Sequence, residues 1–186
     1  MKKYETKIKD LIIIEPELFN DERGWFMESY SKKKFEEIGI NINFIQENTS
    51  FSNKKGTLRG LHCQLEPFAQ TKLVSCIKGK ILDVVVDIRK GSPSYLKTFK
   101  IELSEENNLM LLVPKGFLHG FVTLEDNCKI NYKVDNYYSS SHDRSIKFND
   151  KSFNINWELE DFILSKKDLN APLFSNSDIN FIYKEE

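Results

Sequence analysis

Between Asn41 and Asp135 the chain breaks into short apolar runs separated by turn-forming clusters, and this spacing limits the possible folds more than any other feature. Ile81–Ile88, Phe99–Leu103, Met110–Val113 and Lys129–Val134 have strand length and are rich in β-branched or aromatic residues. Turn residues stand between them at Lys78-Gly79-Lys80, Lys90–Pro93, Ser104–Asn108 and Glu125–Asn127. Strands so regularly spaced predict an all-β sandwich or barrel. An earlier strand is predicted over 8–15, with Leu11–Ile14 as its apolar part, ending at Pro16, which has no N–H for a ladder. Asp21–Tyr30 reads as a turn leading into a strand of interleaved aromatics and charges. One short helix follows, with Ser31 as N-cap, Phe35 and Ile38 on one face and Gly39 closing it. Past Ser140, the isolated apolar anchors Phe148, Trp157 and Phe162 predict an extension with one or two short helices outside the barrel. Ser165 is the cap of one of them. The 186 residues suit one domain, with the barrel core at about 41–135 and the extension at about 140–186.

Charge and cysteine usage narrow the function classes. Lys and Arg number 27 against 28 Asp and Glu, without a basic block, which predicts neither nucleic acid nor a membrane surface as partner. Cys63, Cys76 and Cys128 are odd in number, lack a Cys-x-x-Cys pair and sit in apolar segments, so reduced buried thiols are expected. Met1–Glu5 leads into no apolar stretch of signal length, and no run reaches the roughly 20 apolar residues of a membrane span. The expected compartment is the cytoplasm.

The densest chemistry lies in Gly56-Thr-Leu-Arg59-Gly-Leu-His62-Cys-Gln64 and its continuation Gln70-Thr-Lys72-Leu-Val74. An imidazole, a guanidinium and an ammonium on two neighbouring strands are more than a structural strand tolerates, so this reads as an active-site wall. Alternation puts His62 on one face with Gln64, Gly60 and Leu58. Arg59 falls on the other parity, and shares a pocket with His62 only if Gly60 marks a bulge. Lys72 shares an apolar face with Val74 and Cys76, which requires a partner, a shifted pKa or a ligand. Asp83 is either an inward partner for Lys72 or ordinary surface, and parity leaves both open. Tyr132 alternates with Ile130 and Val134 and points to the apolar side, where it is either a core tyrosine or a proton donor facing a base.

Pro114-Lys-Gly116-Phe-Leu-His119, downstream of Gly56-x5-His62, resembles the two-part signature of cupins, whose double-stranded β-helix or jelly-roll barrel usually holds a metal. Here Gln64 stands where a second His ligand belongs and Lys72 where a Glu belongs, and a protonated lysine offers no lone pair. No metal is expected, and a metal-dependent cupin oxygenase or isomerase is disfavoured. More specifically, the chain resembles the dTDP-4-dehydrorhamnose 3,5-epimerases, metal-free cupins that invert two carbons of a nucleotide-linked 4-keto-6-deoxy sugar. The likeness runs through Asp21-x-Arg23-Gly-x-Phe26-x-Glu28, Gln46-x-Asn48-x-Ser50, the His62 and Lys72 segments, Asp83-Val-x-Val-Asp87-x-Arg89, Pro114–Phe121, Tyr132-Lys133 and Ser165-x-Lys167-Asp168.

By that resemblance His62 is the base, Asp168 its orienting carboxylate and Tyr132 the acid, with Lys72 and Arg59 as the polar wall. It also makes Arg23, Glu28, Gln46, Asn48, Arg59, Lys72, His119, Asp143 and Lys167 substrate contacts and puts Phe26 and Tyr138 near the nucleobase. Asp83 is counted with the substrate-binding set. The chemistry is redox-neutral and implies no cofactor. A homodimer is expected, with strand exchange involving the Ile-rich N-terminal strand and with Arg23 and Phe26 serving the neighbouring site. Departures from the family pattern fall in the last third: Ser140, Asp143 and Ser145 replace its Pro and Glu-x-Gly, and its Trp and Trp-Pro become Phe148 and Trp157-Glu158. Relatives with the same base and acid act on GDP-, CDP- or UDP-linked sugars, on heptoses, or on C3 or C5 alone. A sugar-nucleotide-binding cupin without turnover is the alternative from another class.

Overall fold

The computed structural model describes residues 1–185. Its strands are β1 (Lys2–Glu5), β2 (Ile12–Glu15), β3 (Leu18–Asp21), β4 (Gly24–Met27), β5 (Gln46–Ser52), β6 (Leu58–Gln64), β7 (Lys72–Lys78) and β8 (Lys80–Asp87). They continue as β9 (Thr98–Ser104), β10 (Met110–Val113), β11 (Phe117–Thr123), β12 (Cys128–Val134) and β13 (Asp143–Ser145). Two short helices, α1 (Lys32–Glu37) and α2 (Lys166–Leu169), lie outside the sheets.

Two antiparallel sheets form the jelly-roll barrel, one of order β1-β2-β10-β7-β12-β5 and one of order β13-β6-β11-β8-β9. Between them lies an apolar core that includes Val74, Val85, Leu111, Phe117, Phe121 and Ile130. A second apolar layer covers the outside of the five-stranded sheet, where Leu58, Val84 and Val86 meet Ile146, Phe153 and Trp157 of the extension. The predicted anchor Trp157 is therefore buried, and its indole N–H donates to the Phe148 carbonyl at 2.9 Å. Because both faces of β8 are covered, its apolar outer residues are a second core and not a solvent face.

The sheets reach beyond the expected 41–135. Of the strand predicted at 8–15 only Ile12–Glu15 forms, as β2; Thr6–Leu11 are the turn that joins it to an unpredicted strand, β1, with Asp10 at φ +69°. The Lys2–Glu5 strand is exposed along its length, so it carries no apolar alternation by which sequence could reveal it. Asp21–Tyr30 holds the expected turn and strand: the strand is β4, which pairs with β3 in a hairpin separate from the two large sheets. The helix α1 forms where predicted and buries Phe35 against Ile14, Leu73 and Met110, but the Ser31 side chain makes no capping bond. At α2 the Ser165 side chain does accept from the Asp168 N–H.

One irregularity positions the site. On β11, His119 stands opposite His62 and Phe121 opposite Arg59, so Gly60 and Leu61 face the single residue Gly120. This β-bulge turns Arg59 to the same side as His62, which resolves their parity conflict. Gly60 has φ +138°, and a Cβ there would lie 2.5 Å from the Gly120 Cα. We expect Gly60→Ala to lower stability by about 2 kcal/mol or more through backbone strain and overpacking. Urea unfolding measures this, and a wild-type midpoint would contradict the assigned role of the bulge.

Candidate active site

A cavity of about 440 Å³ opens between the two sheets, and a second lobe of about 370 Å³ shares His62, Lys72 and Tyr132 with it. His62 enters from β6 of the five-stranded sheet, while Lys72 on β7 and Tyr132 on β12 enter from the six-stranded sheet. Asp168 comes from α2, which the chain delivers by pinning Ile163 across the start of β6. Ile163 N–H donates to the Gly56 carbonyl at 2.8 Å, and Leu58 N–H donates to the Ile163 carbonyl at 3.0 Å. Gly56, at φ +78°, has no room for a side chain there, because a Cβ would stand 2.8 Å from the Asp161 carbonyl oxygen.

His62 Nε2 and Asp168 Oδ1 are 2.5 Å apart, with the imidazole 29% exposed toward the cavity and the carboxylate 5% exposed behind it. Ser165 Oγ donates to the other carboxylate oxygen, Asp168 Oδ2, at 2.9 Å. Burial works to raise the Asp168 carboxyl, yet the bond to His62, the His62 charge, the Ser165 hydroxyl and Lys167 together hold it below the usual carboxylate range. Asp168 is thus an ionised acceptor at Nε2 of the imidazole, leaving Nδ1 as the nitrogen not engaged by the carboxylate.

A second His–Asp pair stands beside the first. His119 Nε2 is 2.8 Å from Asp83 Oδ2 and 3.1 Å from Asp83 Oδ1. Asp83 is 0% exposed and does not line the cavity, which corrects its assignment as a direct substrate contact. Its parity is inward, and it acts on the cavity through its bond to His119 and through its charge on Lys72.

Burial pushes the Lys72 ammonium pKa down, opposed by the charges of Asp143 and Asp83. Burial likewise pushes Tyr132 up, opposed by Arg59, so the phenol keeps its proton at neutral pH. Arg59 lines the cavity with its guanidinium anchored to β5, donating to the Phe51 carbonyl at 3.1 Å. Gln46, Asn48, Tyr138 and Asp143 line the second lobe. Asp143 Oδ2 accepts from Lys167 at 2.5 Å and from the Tyr138 hydroxyl at 3.2 Å. Gln64, at the cupin ligand position, spends its amide on the backbone of Phe68, Tyr137 and Ser139. The three thiols are free and buried, and burial raises Cys63, which borders the second lobe, to about 12.

Arg23, Phe26 and Glu28 are not brought to this cavity. Arg23 pairs with Asp21 at 2.6 Å, Glu28 pairs with Lys34, and Phe26 is 66% exposed on the β3–β4 hairpin. The cavity also has Ile163 and Leu164 on its wall, which sequence reasoning did not single out. The available signal was the apolar triplet Phe162-Ile-Leu164 directly before the Ser165 cap.

The model of the dTDP-4-dehydrorhamnose 3,5-epimerase family matches residues 5–176. This chain belongs to that family. The dTDP-4-dehydrorhamnose 3,5-epimerase of Shigella flexneri is 49% identical over 179 residues, which are 96% of this chain and 98% of that protein. The crystal structure of the Bacillus anthracis enzyme with TDP and PPi bound is 48% identical, with TM-score 0.91 over 93% of this chain and 99% of that one. The Legionella pneumophila dTDP-6-deoxy-D-glucose-3,5-epimerase in complex with dTDP-4-keto-L-rhamnose is 41% identical, with TM-score 0.94 over 99% of each chain.

The lowered Asp168 pKa has a pH consequence. A carboxylate whose folded pKa lies below its unfolded value, about 3.9, contributes stability above that value and loses it as pH falls through the folded pKa. We expect Asp168→Asn to be about 1–3 kcal/mol less stable than wild type at pH 7, the scale of a hydrogen bond to a charged group. The difference should shrink as the pH is lowered below about 4. Urea unfolding at both pH values checks this, and a pH-independent difference would contradict it.

Proposed function

We propose that this chain epimerises dTDP-4-dehydro-6-deoxyglucose at C3 and C5 to give dTDP-4-dehydrorhamnose, with His62 as base and Tyr132 as acid. The observation that carries the reading is the placement of the His62–Asp168 pair and Tyr132 on opposite sheets around one cavity. A hydrogen beside a ketone is acidic because the carbanion left behind delocalises onto the carbonyl oxygen. In a 4-keto sugar both C3 and C5 flank the same carbonyl, so one set of groups serves two inversions. His62 takes the proton, and Asp168 stabilises the imidazolium that results. Lys72, Arg59 and His119 surround the developing enolate oxygen with donors, and those that stay charged offset its charge. Tyr132 returns a proton from the opposite face, which is what inverts the centre. A sugar-nucleotide-binding cupin without turnover has no use for an acid facing a base.

The nucleotide end is assigned to the lobe lined by Gln46, Asn48, Tyr138 and Asp143. Asp143, a methylene shorter than the family's usual Glu, supports a second reading in which the sugar or nucleotide differs at that end. Arg23, Phe26 and Glu28 complete the site from a second copy of the chain in our reading. That proposal rests on the exposed hairpin, where Trp25 is 51% exposed beside Phe26. The Ile-rich strand β2, first expected to exchange, pairs with β10 of its own chain, so the hairpin is the better candidate. We place the reaction in the cytoplasm, where free thiols persist reduced.

Incubation with dTDP-4-dehydro-6-deoxyglucose in deuterated water, read by NMR, should show deuterium entering C3 and C5 together with inverted product. His62→Ala should lose about 10²–10⁴-fold in rate, the contribution of a general base. Turnover of a GDP- or UDP-linked 4-keto sugar in preference to the dTDP compound would favour the second reading, and wild-type activity in His62→Ala would remove His62 from the mechanism.

A further inference from the structure

The cavity-facing side of β5 carries four polar side chains in succession, Gln46, Asn48, Ser50 and Ser52. Three of them are engaged within the chain: Gln46 donates to Asn48 Oδ1 at 2.9 Å, and Ser52 Oγ accepts from Arg59 Nε at 3.3 Å. Ser50 is different. Its Oγ is buried and has no hydrogen-bond partner among the described residues, although Ser50 lines the reaction cavity. The other such atom among the described residues, Ser145 Oγ, is on β13 and outside that cavity wall.

An unpartnered buried hydroxyl destabilises a fold that an alanine at the same position would not burden, and since the Oγ is closed off as it stands, a turn about χ1 is what gives it a partner in the cavity that Ser50 lines. The surroundings define that partner. Ser50 is one alternation along β5 from Asn48, which stands opposite Tyr132, and Arg59 grips β5 just beyond it at Phe51 and Ser52. Arg59 and Lys72 give this wall two basic side chains. A group bound there beside a hydroxyl donor is an oxygen bearing negative charge.

We propose that Ser50 is a substrate-binding residue whose hydroxyl donates to an anionic oxygen of the bound nucleotide sugar. The inference rests on the epimerase reading above. Two oxygens fit the chemistry, the enolate oxygen that forms at C4 and an oxygen of the diphosphate, and they differ in when the bond is made. An enolate exists only along the reaction, whereas the diphosphate is present throughout.

Ser50→Ala and Ser50→Thr test this by steady-state kinetics with dTDP-4-dehydro-6-deoxyglucose and by thermal unfolding without ligand. Ser50→Ala should unfold no lower than wild type while kcat/KM falls by about tenfold or more, and Ser50→Thr, which keeps the hydroxyl, should retain most of the activity. A loss confined to kcat assigns the bond to the enolate, and a raised KM with unchanged kcat assigns it to the diphosphate. Wild-type kcat/KM in Ser50→Ala overturns the proposal, as does a midpoint lowered by more than about 3 °C that accounts for the lost activity. Absence of turnover by the wild-type chain refutes the epimerase reading instead. Ser50 is then judged on dTDP binding by calorimetry, where tenfold weaker binding to Ser50→Ala supports its role and equal affinity overturns it.

Discussion

The contact between His62 Nε2 and Asp168 Oδ1 ties together residues 106 positions apart and makes the barrel and its extension one chemical unit. Neither partner suffices without the other's surroundings. His62 belongs to a strand whose bulge at Gly60 also swings Arg59 into the cavity. Asp168 is aimed by a one-turn helix whose cap, Ser165, binds both its backbone N–H and its carboxylate. The extension is held in place by the apolar layer over β6, β8 and β11, with Trp157 and Ile146 within it. Packing outside the barrel therefore sets the geometry of the His62–Asp168 contact beside the cavity.

The two-sheet architecture also holds His62 and Tyr132 apart across the cavity. His62 and Tyr132 line the cavity from different sheets, and in the proposed mechanism a sugar ring between them meets the base on one face and the acid on the other. The two fully buried carboxylates among the described residues are satisfied, Asp83 by His119 and Asp87 by Arg89, Ser92 and Ser94. Arg89 is itself a structural tie, reaching Asp10 at 2.7 Å and lying over the Phe117 ring at 4.5 Å. Paired this way, ionised groups inside the barrel avoid the heavy cost of lone buried charge, and Lys72 and Arg59 line the cavity, where the proposed function gives them to the substrate.

Much of this was legible in the sequence for physical reasons. Strands β8, β10 and β12 announce themselves by apolar runs between turn residues, and Gly60 is the one place where Arg59 and His62 can be reconciled. The direction of Asp83 was not legible, because Val84 and Val86 are buried under the extension, so both faces of β8 read as apolar. Strand β1 and β3, the first strand of the hairpin, escaped because exposed strands carry no alternation. Arg23 and Phe26 lie on that hairpin and Glu28 just past it, away from the cavity of their own chain, which no local pattern reveals. Ser50 stood in a recognised motif, yet the lack of a partner for its hydroxyl is visible only in three dimensions.

The central claim is that base and acid act from opposite walls, and separating proton removal from proton return tests it most directly. Tyr132→Phe keeps the ring and its packing while deleting the donated proton. In deuterated water, with substrate monitored by NMR, the account predicts that Tyr132→Phe still exchanges the proton taken by His62, retaining configuration, and forms little inverted product. Inversion at the wild-type rate, or loss of exchange together with inversion in a folded protein, would contradict it.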